Sequence, residues 1–205
     1  MADETTAPIL TIGHSNHAID AFVALARGAG VAAVIDVRSI PYSRRLPHFS
    51  RPALARALAD AGIGYRHLGE ALGGKPPDDA AGDGARRYER IAAAPSFTTA
   101  LDLVEAEAAR ATVALMCAER EPLECHRVVL VARHLARRGA ALAHVHADGR
   151  VEPHAALEER LLAWHRRRAG GAPAAQSDLF APTAEARGGA IDAAYDARAR
   201  WMLGG

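Results

Sequence analysis

The feature that most constrains the fold of this chain is the alternation of short apolar runs with amphipathic segments. Two of the runs, VAAVIDVRS (31–39) and TVALMCAE (112–119), have the near-continuous apolar character of strands covered on both faces. Other segments, such as AIDAFVALARGAG (18–30), place apolar residues at helical spacing and end in glycine. Strands that alternate with helices pair in parallel, so the pattern predicts an α/β fold, a three-layer sandwich with a central, mostly parallel five-stranded sheet.

The predicted elements can be assigned along most of the chain. A long polar stretch at 70–87, rich in Gly and Pro, is predicted to be a loop. The five strands are expected at 9–15, 31–39, 63–69, 112–119 and 141–149, and the helices at 18–30, 51–62, 96–110, 126–139 and 154–168.

The composition changes after Arg168, where Ala, Gly and Pro dominate. We therefore predict a single α/β domain over 1–168 and a flexible linker over 169–190. The remaining segment, 191–205, is predicted to be a short helix or a frayed tail.

Charge and cysteine usage exclude several classes of protein. The net charge is +1, which argues against a protein that coats DNA through a globally basic surface. Two cysteines cannot form a disulfide framework, and no apolar run reaches membrane-spanning length. We also expect no secretory leader, because the first residues lack a basic start and a long apolar stretch. The expected location is the cytoplasm, with no membrane partner.

Ionisable residues follow all five predicted strands. In open parallel sheets, ligands bind beyond the carboxyl ends of the strands. The residues at those positions are His14 and Ser15, Asp36 and Arg38, Glu70, Cys117 and Glu119, and His146.

Four blocks of sequence resemble the signature of the domain of unknown function 488 family. They are TIGHSN, IDVRSIPYSRR, YRHLGEALGG and LMCAEREPLECHR, and the resemblance extends over roughly residues 9 to 150. It implies an α/β domain whose motifs gather at one edge of the sheet, and it implies no known reaction.

The segment CAEREPLECHR (117–127) holds the candidate catalytic residues. Glu119 can act as a nucleophile or general base, with His126 as its partner in proton transfer. Cys125 lies where a predicted helix begins, and the helix dipole there favours a lowered thiol pKa or a bound anion. Arg127 is a candidate phosphate ligand, and Asp36 a fourth candidate catalytic residue.

A zinc site is an alternative for the same segment, with Cys117, Cys125, His126 and His14 as ligands. Adjacent Cys and His residues do not easily share one tetrahedral ion, and no Cys-x-x-Cys pair is present. We therefore expect no metal and no cofactor. Burial of Cys117 as a small apolar residue is the simpler interpretation of that position.

Four further residues are candidates for binding a substrate or its phosphate: His14, Ser15, Arg38 and Arg44. The glycine before His14 lets the backbone approach a ligand closely. Arg44 lies in a loop where arginines and aromatic residues interleave, which suits phosphate contacts and base stacking. A solvated loop explains the same pattern equally well.

The peptide QSDLF (176–180) stands out in the predicted linker. It resembles the short peptide through which bacterial repair and replication proteins dock on the DNA sliding clamp. Leu179 and Phe180 would be the apolar anchors, and Gln176 would bond at the edge of the pocket. Ser177 stands where leucine is common in that peptide.

Three functions remain open from the sequence. The first is an enzyme that acts on a nucleotide or nucleic acid by hydrolysis or transfer at a glycosidic or phosphoryl centre, linked to DNA repair through the clamp. The second is a non-catalytic, clamp-tethered adaptor that binds nucleic acid. The third is a thiol redox sensor based on Cys125.

Overall fold

The computed structural model describes residues 7–75, 84–170 and 183–204. Within them lie six strands and eight α-helices. The strands are β1 (Ile9–Gly13), β2 (Ala33–Asp36), β3 (Gly64–His67), β4 (Val113–Cys117), β5 (Leu142–Val145) and β6 (Val151–Pro153). The helices are α1 (Ile19–Gly28), α2 (Arg51–Asp60), α3 (Gly69–Leu72), α4 (Gly84–Ala93), α5 (Pro95–Ala108), α6 (Arg133–Arg137), α7 (His154–Arg168) and α8 (Ala184–Met202).

All strands belong to one sheet with the order β3-β2-β4-β1-β5-β6. The first five are parallel, and β6 pairs antiparallel with β5 at the edge. The predicted α/β sandwich with a mostly parallel sheet is confirmed, and the strand number is six instead of five. The extra strand is three residues long, too short to show a periodicity in the sequence.

Two hydrophobic cores lie on opposite faces of the sheet. One face packs against α1 and α2, through residues such as Phe22 and Leu54. The other packs against the helices that include α5, α7 and α8, through residues such as Phe97, Leu161 and Tyr195. This arrangement explains the continuous apolar character of β2 and β4, because both faces of each strand are covered.

Helical structure extends into two segments that the sequence did not assign to helices. The predicted loop at 70–87 contains most of α3 and the start of α4. Helix α8 begins at Ala184, where Thr183 Oγ1 accepts a hydrogen bond from the Ala186 amide, so it starts inside the predicted linker. Tyr195 of α8 is 1% exposed, so the helix is packed into the core.

No helix within the described ranges has the length and apolar character of a membrane span.

The helix that follows β4 begins with a π-helical stretch, Arg127–Ala132, before it continues as α6. Such π-helical turns are uncommon and are frequent at functional sites.

Candidate functional site

The carboxyl ends of three central strands meet at one edge of the sheet. Gly13 at the end of β1 pairs with Cys117 at the end of β4, and Asp36 at the end of β2 pairs with Met116. Position 13 requires glycine, because a Cβ there would overlap the backbone carbonyl of Glu119. The predicted convergence of the first, second and fourth strand ends is thus present.

A cleft of about 420 Å³ opens at this edge. Such a volume falls within the range of small-molecule sites. Its lining combines positive side chains, carboxylates, aromatic rings and the backbone of a glycine. It includes Arg38, Ser39, Ile40, Gly74, Lys75, Arg87, Tyr88, Glu119, Glu124, His126, Trp201, Met202 and Leu203.

Four potential ligand groups converge below the floor of the cleft. One atom each from Cys117, Glu119, Cys125 and His126 lies within 4.8 Å of all the others. Cys125 Sγ donates a hydrogen bond to Glu119 Oε2 at 2.9 Å. Cys117 Sγ lies 3.7 Å from His126 Nδ1. We call these four residues the thiol–imidazole cluster.

His126 is held in one orientation within this cluster. Its Nε2 lies 2.9 Å from the backbone carbonyl of Val37. A carbonyl only accepts, so Nε2 carries the hydrogen, and in the neutral ring the lone pair is on Nδ1, which faces Cys117. Gly74 allows this placement, because a Cβ there would meet the imidazole ring at 2.9 Å.

The cluster shifts the proton affinities of its members in opposite directions. Burial raises the pKa of the Cys117 thiol well above its ordinary value. Burial also opposes ionisation of Cys125, but the hydrogen bond from Cys117 and the charge of Arg127 lower the pKa of Cys125. Glu119 is exposed as a residue, but its carboxyl group bonds the buried Cys125 sulfur, and the resulting loss of water together with the sulfur raises the pKa of Glu119. The pKa of His126 is raised despite burial, because Cys125 stabilises the imidazolium.

Glu119 is the cluster member that faces solvent. Both sulfurs are buried, whereas Glu119 is exposed and lines the cleft. Within residues 7–75, 84–170 and 183–204 no ion pair to its carboxylate is found. The other carboxylate of the cleft, Glu124, pairs with Arg198 of α8 at 3.3 Å.

Arg127 does not line the cleft. Its side chain is fully buried, with Nη1 donating to the Glu119 carbonyl at 2.7 Å and Nη2 to the Arg120 carbonyl at 3.4 Å. The guanidinium therefore braces the loop that carries Glu119. The sequence suggests Arg127 as a phosphate ligand, but in this position its guanidinium does not present donors to a phosphate in the cleft.

Asp36 and Arg38 form a buried ion pair next to the cleft. Arg38 Nε and Nη2 donate to the two Asp36 oxygens at 2.9 and 2.6 Å, and Tyr65 donates to Asp36 at 2.8 Å. Asp36 is fully buried and lies outside the cleft lining, which does not favour a catalytic role. Arg38 reaches the cleft, although most of its donors are already used.

His14 orients Arg38 and does not meet the thiol–imidazole cluster. Its ring stacks on Phe49 at 4.1 Å, its Nδ1 bonds the Ser15 carbonyl, and its Nε2 lies 3.3 Å from Arg38 Nη1. Burial lowers the pKa of His14 to about 4, so the ring is neutral near pH 7. It is therefore not a ligand in the zinc arrangement considered from the sequence.

The remaining predicted residues lie away from the cleft or outside the described residues. Ser15 has a positive φ of 48° and bonds Asn16, and Arg44 is exposed in its loop; neither lines the cleft. Gln176, Leu179 and Phe180 lie outside the described residues.

Several lining residues were not predicted from the sequence. Lys75 lies in the predicted loop at 70–87, and Tyr88 follows that loop directly, in α4. Trp201 lies in the C-terminal helix α8. One signal was available, since Lys75 is the only lysine in the chain. The sequence predicts Cys117 to be a buried apolar residue or, in the zinc alternative, a ligand; the residue is buried, and its sulfur faces the cluster.

The fold and the site define an α/β protein with a buried thiol–imidazole cluster under a cleft at the carboxyl edge of its sheet. A family model described as domain of unknown function DUF488 matches residues 18–134, more than half of the chain. The chain belongs to this family. No curated protein and no solved structure matches this chain.

The buried ion pair gives a test of the network beside the cleft. We expect Asp36→Asn to lower the free energy of unfolding by about 3 to 5 kcal/mol, because it leaves the Arg38 guanidinium buried without its counter-charge. Chemical denaturation measures the loss. Asp102→Asn is the control, since Asp102 pairs with Arg138 at the surface with 60% of its side chain exposed, and should change stability by about 1 kcal/mol or less. Equal losses of stability in both variants would contradict the buried ion pair between Asp36 and Arg38.

Proposed function

We propose that this protein is a hydrolase that acts on a nucleotide or a nucleic-acid end bound in the cleft, with Glu119 as the general base. The observation that supports it best is that one cleft holds an exposed carboxylate, the only lysine of the chain and an exposed tryptophan. Each of these groups suits one part of such a substrate.

The positive side chains of the cleft suit a phosphate. Lys75 is exposed and its ammonium can turn towards an anion, while Arg38 presents a guanidinium that Asp36 holds in place. Because Asp36 neutralises Arg38, most of the attraction comes from Lys75 and from Arg87, which also lines the cleft. A single phosphate or a short phosphate chain fits this limited positive charge better than a long duplex does.

A second group of lining residues suits an aromatic base. Trp201 is 41% exposed and lines the cleft together with Met202 and Leu203. Its indole is in cation–π contact with Arg198, whose guanidinium lies 4.2 Å from the Trp201 ring centroid. A partly exposed indole is a surface on which any of the bases can stack.

The chemistry follows from the exposed carboxylate. Glu119 takes a proton from a water molecule as the water oxygen attacks a phosphoryl or glycosidic centre. A bond forms from that oxygen to phosphorus or to the sugar carbon, and the bond to the leaving group breaks. The proton held by Glu119 then passes to the leaving group, which restores the carboxylate.

The two reduced cysteines suit a reducing compartment, so we place the protein in the cytoplasm. We also retain the sequence-based proposal that Gln176, Leu179 and Phe180 dock on a DNA sliding clamp, which would bring the enzyme to sites of DNA repair. These three residues lie outside the described residues, so the proposal depends on the sequence pattern alone.

Removal of the Glu119 charge tests the proposed reaction. We expect Glu119→Gln to lower turnover about 100- to 10,000-fold while ligand affinity is retained, because the amide cannot accept the proton. Turnover is measured on a panel of nucleotides and short oligonucleotides. Glu124→Gln is the matched control, since Glu124 lines the same cleft but pairs with Arg198, and it should stay within a few-fold of the parent chain. Tight binding without turnover in the parent chain would favour the adaptor instead.

Removal of the indole tests the nature of the ligand. We expect Trp201→Ala to weaken binding of a nucleoside monophosphate by about 5- to 150-fold, because a base stacked on an aromatic ring contributes about 1–3 kcal/mol. Isothermal titration calorimetry measures the affinity. Ribose 5-phosphate, which has no base, should bind both chains equally, whereas Lys75→Ala should weaken both ligands. An equal loss for the nucleotide and the sugar phosphate in Trp201→Ala would rule out base stacking.

The docking peptide has its own test. A tagged full-length chain should retain purified bacterial sliding clamp on a column, and the double change Leu179→Ala and Phe180→Ala should abolish retention by removing both apolar anchors. Ser177→Ala is the control and should retain the clamp. Equal retention by all three chains, or by none, would refute clamp docking without affecting the proposed hydrolysis.

A further inference from the structure

We propose that Cys117, Cys125 and His126 bind one zinc ion, with a water molecule in its fourth position next to Glu119. This proposal differs from the expectation from the sequence, which is that no metal is bound. The proposal that the ion binds depends only on the geometry of the cluster. Its role, activation of the attacking water, rests on the proposed hydrolase function.

The spacing of the ligand atoms fits a tetrahedral ion. With Zn–S near 2.3 Å and Zn–N near 2.0 Å, sulfur and nitrogen ligands of one zinc ion lie roughly 3.5 Å apart. Cys117 Sγ and His126 Nδ1 are 3.7 Å apart, and the atoms of all four cluster residues lie within 4.8 Å of one another. The ligand atoms are therefore close to the separations that one shared ion requires.

The orientation of His126 is the one that metal-binding histidines adopt. Such residues donate a hydrogen bond from one ring nitrogen to a carboxylate or carbonyl, which leaves the other nitrogen free to coordinate. His126 Nε2 donates to the Val37 carbonyl, and Nδ1 faces the Cys117 sulfur, with the Cys125 sulfur in the same cluster. The residue is 9% exposed, so His126 has little contact with bulk solvent.

The backbone removes the objection that adjacent Cys and His residues cannot share one ion. Cys125 is extended, with φ −136° and ψ 137°, whereas His126 is helical, with φ −60° and ψ −26°. This abrupt change of conformation at the start of the π-helical stretch brings both side chains to the same point. Their positions in a regular strand or helix would not do so.

The ligand set selects zinc by its chemistry and its charge. Two thiolates and one imidazole are typical zinc ligands, and three protein ligands with one open position are typical of catalytic zinc. When the ion binds, the thiol protons leave to solvent, and a Zn²⁺ ion with two thiolates and a neutral imidazole carries no net charge. A neutral complex can be buried beside Arg127 at low electrostatic cost.

Glu119 and the cleft complete the site. The two sulfurs are buried, but His126 and Glu119 both line the cleft, so the ion and its water have a path from solvent. Zinc lowers the pKa of a bound water to near 7, and a carboxylate beside that water can take its proton. This gives Glu119 the same role that the proposed function assigns to it.

Metal binding can be measured without any assay of activity. We expect the full-length protein, purified without chelators, to contain about one zinc per chain by elemental analysis. After removal of zinc, Co²⁺ alone should give the intense near-ultraviolet absorption of thiolate-to-cobalt charge transfer and the visible bands of a tetrahedral ion. Cys117→Ser, Cys125→Ser and His126→Gln should each weaken Co²⁺ binding at least 100-fold. His165→Gln, on α7 and outside the cleft lining, is the control and should bind like the parent chain.

A second measurement uses the unaltered protein, so that a variant that fails to fold does not decide the result. Both thiols should react slowly with a disulfide reagent while zinc is present, and faster when a chelator is added. Less than a tenth of an equivalent of zinc, no charge-transfer band with Co²⁺, and thiol reactivity that ignores the chelator would overturn the site. Zinc without nucleotide hydrolysis would refute only the proposed function; hydrolysis that depends on Glu119 without zinc would refute only the metal site.

Discussion

The buried guanidinium of Arg127 is the contact on which the shape of the site depends. It ties the start of the π-helical stretch to the loop after β4 through the Glu119 and Arg120 carbonyls, and Gly13 of β1 packs beside it. Because both acceptors are backbone atoms, the bonds fix the path of the loop. The loop in turn sets where the Glu119 side chain leaves the backbone and faces the cleft.

Burial of this charge explains why the surrounding groups are polar and tightly placed. A guanidinium removed from water is costly unless nearby groups compensate for it. The described residues give Arg127 two carbonyl acceptors, while the sulfurs of Cys117 and Cys125 lie near enough for its charge to alter their pKa values. The positive charge of Arg127 therefore favours negative charge on both sulfurs, whereas burial opposes it and prevails at Cys117.

The cleft combines a part of the chain that the family model covers with a part that it does not. The cluster residues and Lys75 lie within residues 18–134, whereas Trp201 lies on α8, beyond the match. Helix α8 is anchored by Arg133, which pairs with Asp192 and Asp196, and by the buried Tyr195. In this arrangement the family region supplies the cluster residues and Lys75, and the C-terminal helix adds Trp201 and Met202 to the lining of the same cleft.

The α/β class, five parallel strands and the edge at which polar residues gather could be predicted from the amino-acid order, because short apolar runs and helical periodicity are local properties. The same order singled out Glu119, Cys125 and His126. The folded arrangement was needed to show that Cys117 belongs with them, that Arg127 is a brace and Asp36 the partner of Arg38, and that Trp201 reaches the cleft. These outcomes depend on which side chains meet across distant segments and on which charges lose contact with water, and no local pattern along the chain carries that information.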